Sequence, residues 1–212
     1  MDDTTDSSRQ PLFYGWRVVG AVFITLVTGS GLAFYNLSVL LAALTTEKGF
    51  TLAAASAAPS LFFLSGGFSG IGIALFIERY DVRVSVTIGA GICACALIWI
   101  GRVSELWQLY AAFILFGMGF AAAGLLPGTT LVTRWFARQR AMALALATTG
   151  LSVGGACLTP LSAWLILTLG LEQATLWLAA LYVLGVVPVT LLFTRSHPRA
   201  LRSSYPLLHQ VR

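Results

Sequence analysis

Charge is what this sequence has least of. Only 10% of its 212 residues are Asp, Glu, Lys or Arg, against roughly a quarter in a soluble domain. The few charges leave six uncharged runs, at 18–46, 49–77, 84–101, 106–133, 141–171 and 173–194. A helix crossing hydrocarbon needs about 20 mostly apolar residues. Each run therefore spans once, and none has room for two passes and a turn. With 58% apolar residues, a soluble globular domain is excluded, and the expectation is an all-α integral membrane protein of six transmembrane helices.

Histidine is almost absent as well. His197 and His209 both fall after the last run, so no imidazole reaches a hydroxyl at bilayer depth. The stretch "GLSVGG" at 150–155 therefore lacks the base that a serine nucleophile such as Ser152 would need. With no Asp or Glu inside a run, an intramembrane aspartyl pair is excluded too, and the chain reads as no enzyme. Cys93, Cys95 and Cys157 lie within runs, are odd in number and form no C-x-x-C pair. Disulfides, a metal site and a cofactor are accordingly not expected. A side-chain proton relay across the spans is excluded by the same shortage, because buried ionisable groups normally carry such relays.

What charge there is sits between the runs. Of the 13 Lys and Arg, all but Lys48 and Arg102 fall on one side if the N-terminus is cytoplasmic. That is the positive-inside pattern, and it puts both termini in the cytoplasm of a cell-membrane (inner or plasma membrane) protein. The net charge of +5 thus reports topology and a lipid partner, not nucleic acid. The start, "MDDTTDSSRQP", has no basic n-region, and the run after it is too long for a signal core. The expected organisation is a disordered cytosolic lead over 1–15 and a six-helix bundle over 16–194, followed by a basic cytosolic tail over 195–212. Spans are expected near 16–44, 51–77, 84–101, 106–133, 141–169 and 173–194, with Tyr14 and Trp16 as interfacial anchors.

The polar residues inside the runs are ordered. Thr148, Ser152, Gly155, Thr159 and Ser162 share one helical face, as do Thr28, Gly31, Tyr35 and Ser38, with Asn36 beside them. Two readings stand. Tyr35, Asn36, Thr148, Ser152 and Thr159 line a substrate cavity, or the same residues serve helix-to-helix packing and hydrogen bonding. Gly66/Gly70 and Gly150/Gly154 carry the small-x-x-x-small spacing of close helix crossings. Pro59, Pro127, Pro160 and Pro188 predict bent helices.

Two inner loops carry a specific pattern. "ALFIERYDVR" at 74–83 resembles the loop between helices two and three of the major facilitator superfamily, G-x-x-x-D-[RK]-x-G-x-[RK]. Ala74, Glu78, Arg79, Asp81 and Arg83 stand at its five defined positions. "FYGWRVV" at 13–19, "EKGFTLAAASAAPSLFFLSGG" at 47–67 and "RWFARQRAMALALATTGLSVGGACLTP" at 134–160 look like the oxalate/formate and monocarboxylate branch. The resemblance implies one six-helix half of that fold and secondary transport of a small solute, an organic anion such as a monocarboxylate. It makes Glu78 a gating carboxylate, supported by Arg79, Asp81 and Arg83 and by Arg134, Arg138 and Arg140 in the second inner loop. Asp81, where the pattern has Gly, predicts a poorer turn. Family members have two such halves, so a second six-helix half is expected, as a second copy or a separate chain. The other class of function is a non-transporting membrane assembly protein, or an inactive truncated half.

Overall fold

A computed structural model of the protein describes residues 14–136 and 139–193, without the side chains of residues 14, 134, 135, 192 and 193. The lead, apart from its last two residues, lies outside the described residues, as do the tail and Arg138. Among the described residues six helices are long and apolar enough to cross a bilayer: α1 (Gly15–Thr46), α2 (Leu52–Arg79), α3 (Val82–Gly101), α4 (Leu106–Thr133), α5 (Arg140–Leu169) and α6 (Leu171–Leu191). The short, polar connections keep consecutive helices antiparallel.

Local chemistry sets the ends. Thr51 caps α2, its Oγ1 accepting from Ala54 N at 3.3 Å. Asp81 caps α3, accepting from Arg83 N at 2.9 Å. Asp81 has φ −67°, which any residue adopts, so the turn expected to want glycine needs a cap instead. Gly170, at φ 77°, terminates α5 in the left-handed region where glycine is favoured. Beyond it, Glu47 at the end of α1 accepts from Leu171 N at 2.8 Å. A carboxylate is thereby placed on the positive end of α6, and the end of α1 is tied to the start of α6. Glu47→Ala is expected to cost about 1 kcal/mol, or about 2–4 °C in Tm for a chain of this size. Thermal melting in detergent checks it, and an unchanged midpoint would remove the tie.

Lipid is as apolar as a leucine side chain, so helix association rests on close packing and interhelical hydrogen bonds. Both are visible. Ser30 donates to Leu151 O (2.9 Å), Ser65 to Ile114 O (3.0 Å), Ser85 to Ala122 O (3.1 Å) and Tyr110 to Ala54 O (3.2 Å). These join α1 to α5, α2 to α4, α3 to α4 and α4 to α2, each bond contributing about 0.6 kcal/mol on average. Glycine sets the closest approaches. A Cβ on Gly154 would run into Val27 O and Ser30 Oγ, and one on Gly117 into Phe62 O and Ser65 Oγ. Phe62, Phe113, Phe116 and Tyr182 are the largest fully buried side chains.

The order of neighbours around the bundle is α2, α4, α3, α6, α1, α5. α3 and α6 pack on each other and on the back of α4 and α1, while α2 and α5 flank α1 and α4 at the other side. The flanking pair is barely covered: 11% of α2 and 22% of α5 in their most apolar stretches, against 67% of α1. Trp16, expected at the interface, is half-buried and sits edge-on to Phe136 at 5.4 Å.

The expected bends resolve unevenly. α2, α5 and α6 run unbroken through Pro59, Pro160 and Pro188. α4 divides into Leu106–Ala123 and Leu125–Trp135 at Gly124, three residues before Pro127. α1 contains a π-turn over Ser30–Phe34, where Tyr35 N reaches back to Ser30 O at 2.9 Å.

Candidate functional site

The two interrupted helices bring their interruptions together. A π-turn inserts one residue into the α-helical count, which rotates everything after it by about 100°. The single face expected for Thr28, Gly31, Tyr35 and Ser38 is therefore split. Thr28 and Gly31 are buried, whereas Tyr35 and Ser38 are exposed. The turn also pushes Phe34 out of the core, to 41% exposed. In α4, Gly124 starts a new helix whose first residues are Leu125 and Leu126, with no side-chain cap. Pro127 brings no N–H, so the amides of Leu125 and Leu126 lead the positive end of this helix.

Between them lies a recess of about 480 Å³. Its walls are Phe34 from α1, Phe62 and Phe63 from α2, and Phe120, Leu125 and Leu126 from α4. Phe34 meets Phe63 at 5.6 Å and 75°, and Phe62 meets Phe120 at 5.4 Å. Its floor on α2 is Gly66, Gly67 and Gly70. Thr129 adds the one side-chain hydroxyl, already donated to Leu125 O at 2.9 Å. The aromatic and glycine residues of the recess sit near the middles of α1, α2 and α4.

None of the cavity residues picked from the sequence lines this recess. Tyr35 lies against α5, its ring where a Cβ on Gly155 would come within 2.7 Å. Asn36 is fully buried, with neither amide atom hydrogen-bonded. Thr148 is half-buried and bonds back to Leu144 O at 2.9 Å. Ser152 is exposed, and Thr159 is half-buried with its hydroxyl unpartnered. Ser162 is buried, bonded to Leu158 O at 2.9 Å. The expected polar face of α5 thus passes from open surface to helix contact as α5 crosses α1.

At the α2–α3 end of the bundle, Glu78 and Arg79 are exposed at the last turn of α2, and Glu78 forms no ion pair with Arg79 or Arg83. Arg83 is half-buried, its Nε shielded and without a hydrogen bond. Arg140 donates to Thr133 O at 3.3 Å, covering the end of α4. Arg134 belongs to that helix, its side chain outside the described residues.

Sequence reasoning missed Phe34, Phe63, Phe120 and the glycine floor. The available signal was "SGGFSG" at 65–70, which has more glycine than one packing stripe requires. Gly66 does pack, its Cβ position 3.3 Å from Gly117 O, but Gly67 and Gly70 have nothing within 4 Å.

Comparison with known proteins agrees with this architecture. The family model of the Major Facilitator Superfamily matches residues 21–207. Monocarboxylate transporter 2 of Meriones unguiculatus is 29% identical over 182 residues, covering 84% of this chain and 37% of that protein. Monocarboxylate transporter 2 of Homo sapiens is 28% identical over 181 residues, with the same coverage. The chain thus spans little more than a third of the length of these relatives. With six helices long and apolar enough to cross a membrane and a family match over most of its length, this chain belongs to the Major Facilitator Superfamily.

Proposed function

We propose that the chain is one half of a secondary transporter for a small organic anion of the monocarboxylate type, with the open α2/α5 side meeting a second six-helix half. The observation that carries this reading is the recess. Substrate sites of such transporters lie partway across the membrane, beside discontinuous helices, and the recess lies beside two interrupted helices, partway along their length. The names of the relatives support the solute class. No span of this chain carries a charged side chain in its interior, so the cation that meets a carboxylate would come from the second half. Because such halves are related by an axis along the membrane normal, a second copy inserted the same way can serve. Uptake of a labelled monocarboxylate by proteoliposomes, with cross-linking to report a same-orientation pair, tests the proposal. A stable complex with an unrelated membrane protein and no uptake would favour an assembly role instead.

Exposed and without an ion pair among the described residues, Glu78 fits a gating carboxylate whose partner lies across that interface. In this reading Arg79, Asp81, Arg83, Arg134, Arg138 and Arg140 form the inner rim, which sits in the cytoplasm of a cell-membrane protein. Tyr35, Asn36, Thr148, Ser152 and Thr159 belong to the solute path above it. Glu78→Gln is expected to shift the inward/outward balance by about fivefold, a coupling of about 1 kcal/mol, with unchanged membrane yield. Labelling a reporter cysteine from each side of the bilayer measures it, and unaltered labelling together with unaltered uptake would refute the gate.

A further inference from the structure

We infer that the recess between α1, α2 and α4 receives an aromatic or branched apolar body on the transported carboxylate, which makes this half selective for bulky monocarboxylates over formate or acetate. The inference rests on the transporter reading above and names the part of the solute that this chain recognises.

The first support is the glycine floor. In a helix glycine costs about 1 kcal/mol relative to alanine, and close packing is the usual compensation. Gly154 and Gly117 have that compensation, but Gly67 and Gly70 do not, since a Cβ at either would meet nothing within 4 Å. Their lack of side chains instead deepens the recess. The second is the wall. Phe34 and Phe63 stand edge to face at 75°, and both are exposed, at 41% and 51%. Phe120 closes the far side, 6.4 Å from Phe34. Rings so arranged offer both faces and edges, which is how a further aromatic group is held. The volume of about 480 Å³ lies within the range of about 300–1,000 Å³ for sites taking drug-sized ligands. Formate would leave most of it empty.

Charge complementarity then sets the solute's orientation. The recess has no ionised side chain, and its polar rim is the start of Leu125–Trp135, where the amides of Leu125 and Leu126 carry the positive end of the helix. An anionic head group is favoured at that rim and the apolar body among the rings. A purely hydrocarbon occupant would make no use of the rim.

The test compares labelled phenylacetate and acetate with the full chain in proteoliposomes and nanodiscs, measuring binding and uptake together. Phenylacetate is expected to bind at least about tenfold tighter, since even one well-packed methylene discriminates about 10–200-fold. Gly70→Leu, whose Cβ meets nothing within 4 Å and whose side chain fills the floor, is expected to lower phenylacetate binding about tenfold and leave acetate unchanged. Phe63→Ala, at an exposed position, is expected to act in the same direction. Equal binding of the two solutes, or equal losses of both in the two variants, would overturn the inference and leave the transporter reading standing. Loss of the same-orientation pair on Gly70→Leu would also overturn it, assigning the floor to helix packing with the second half. If neither carboxylate binds or moves, the organic-anion reading fails first.

Discussion

Gly154→Leu should leave little folded protein in the membrane. Its Cβ alone would run into Val27 O and Ser30 Oγ and lie 2.9 Å from Val27 C, while across the same crossing Gly31 would meet Gly154 O, and Leu158 Cβ at 2.6 Å. The atoms in the way are mostly backbone, which cannot swing aside as a flexible side chain does. Overpacking usually costs about 1–3 kcal/mol, and α1 would have to move off α5, so the upper end or more is expected. That move also breaks the bond from Ser30 to Leu151 O. At about 2–4 °C per kcal/mol, the apparent Tm should fall by about 6–12 °C, with a loss of the monodisperse peak in size-exclusion chromatography. Gly31→Leu should behave the same way. Gly67→Ala is the control: it meets nothing within 4 Å and removes a glycine penalty of up to about 1 kcal/mol, so it should melt at or slightly above the parent. Equal melting of Gly154→Leu and Gly67→Ala would show that the α1/α5 crossing is looser than described.

The six spans were legible because they rest on composition. Runs such as 49–77 and 106–133 contain no charge, and the bilayer forces an uncharged chain of that length into helix. The Gly150/Gly154 pair was legible for a related reason, since small residues at that spacing have few uses other than close approach. The π-turn at Ser30–Phe34 was not. It adds one residue to the count without any residue type that demands it, and the added residue turns Tyr35 and Ser38 away from Thr28 and Gly31. The same holds for the recess. Gly66 and Gly70 have identical spacing to Gly150 and Gly154, and only the position of α4 decides that Gly66 packs while Gly70 stays open. Asp81 shows the converse. Compared against a family pattern it looked like a defective turn, yet its side chain bonds the first turn of α3. Local capping chemistry made it a suitable residue where a motif did not.

Ser152→Asp and Leu184→Asp should separate the open side of the bundle from its lipid side. Both residues are exposed and both lie near the middle of their helices, but Ser152 is on α5, which flanks the recess side, and Leu184, 67% exposed, is on α6 at the back. An aspartate in mid-membrane costs about 2.5–3.5 kcal/mol on insertion scales, and lipid offers it no relief. Leu184→Asp is therefore expected to cut membrane yield about tenfold or more. On the proposed solute path Ser152 would face water for part of the cycle, so its aspartate variant is expected to stay hydrated and insert with near-parental yield. The cost there appears in transport. A fixed negative charge about 10 Å from an anion, at an effective dielectric of about 20, repels it by about 1.7 kcal/mol. Carboxylate uptake should thus fall somewhat more than tenfold, and raising the salt concentration should restore part of it, because water-exposed charges are screened. Quantitative blotting of membranes and uptake at two ionic strengths give the four values needed. If Ser152→Asp loses yield as Leu184→Asp does, the α5 face looks into lipid, and the side on which the two halves are proposed to meet must be reassigned.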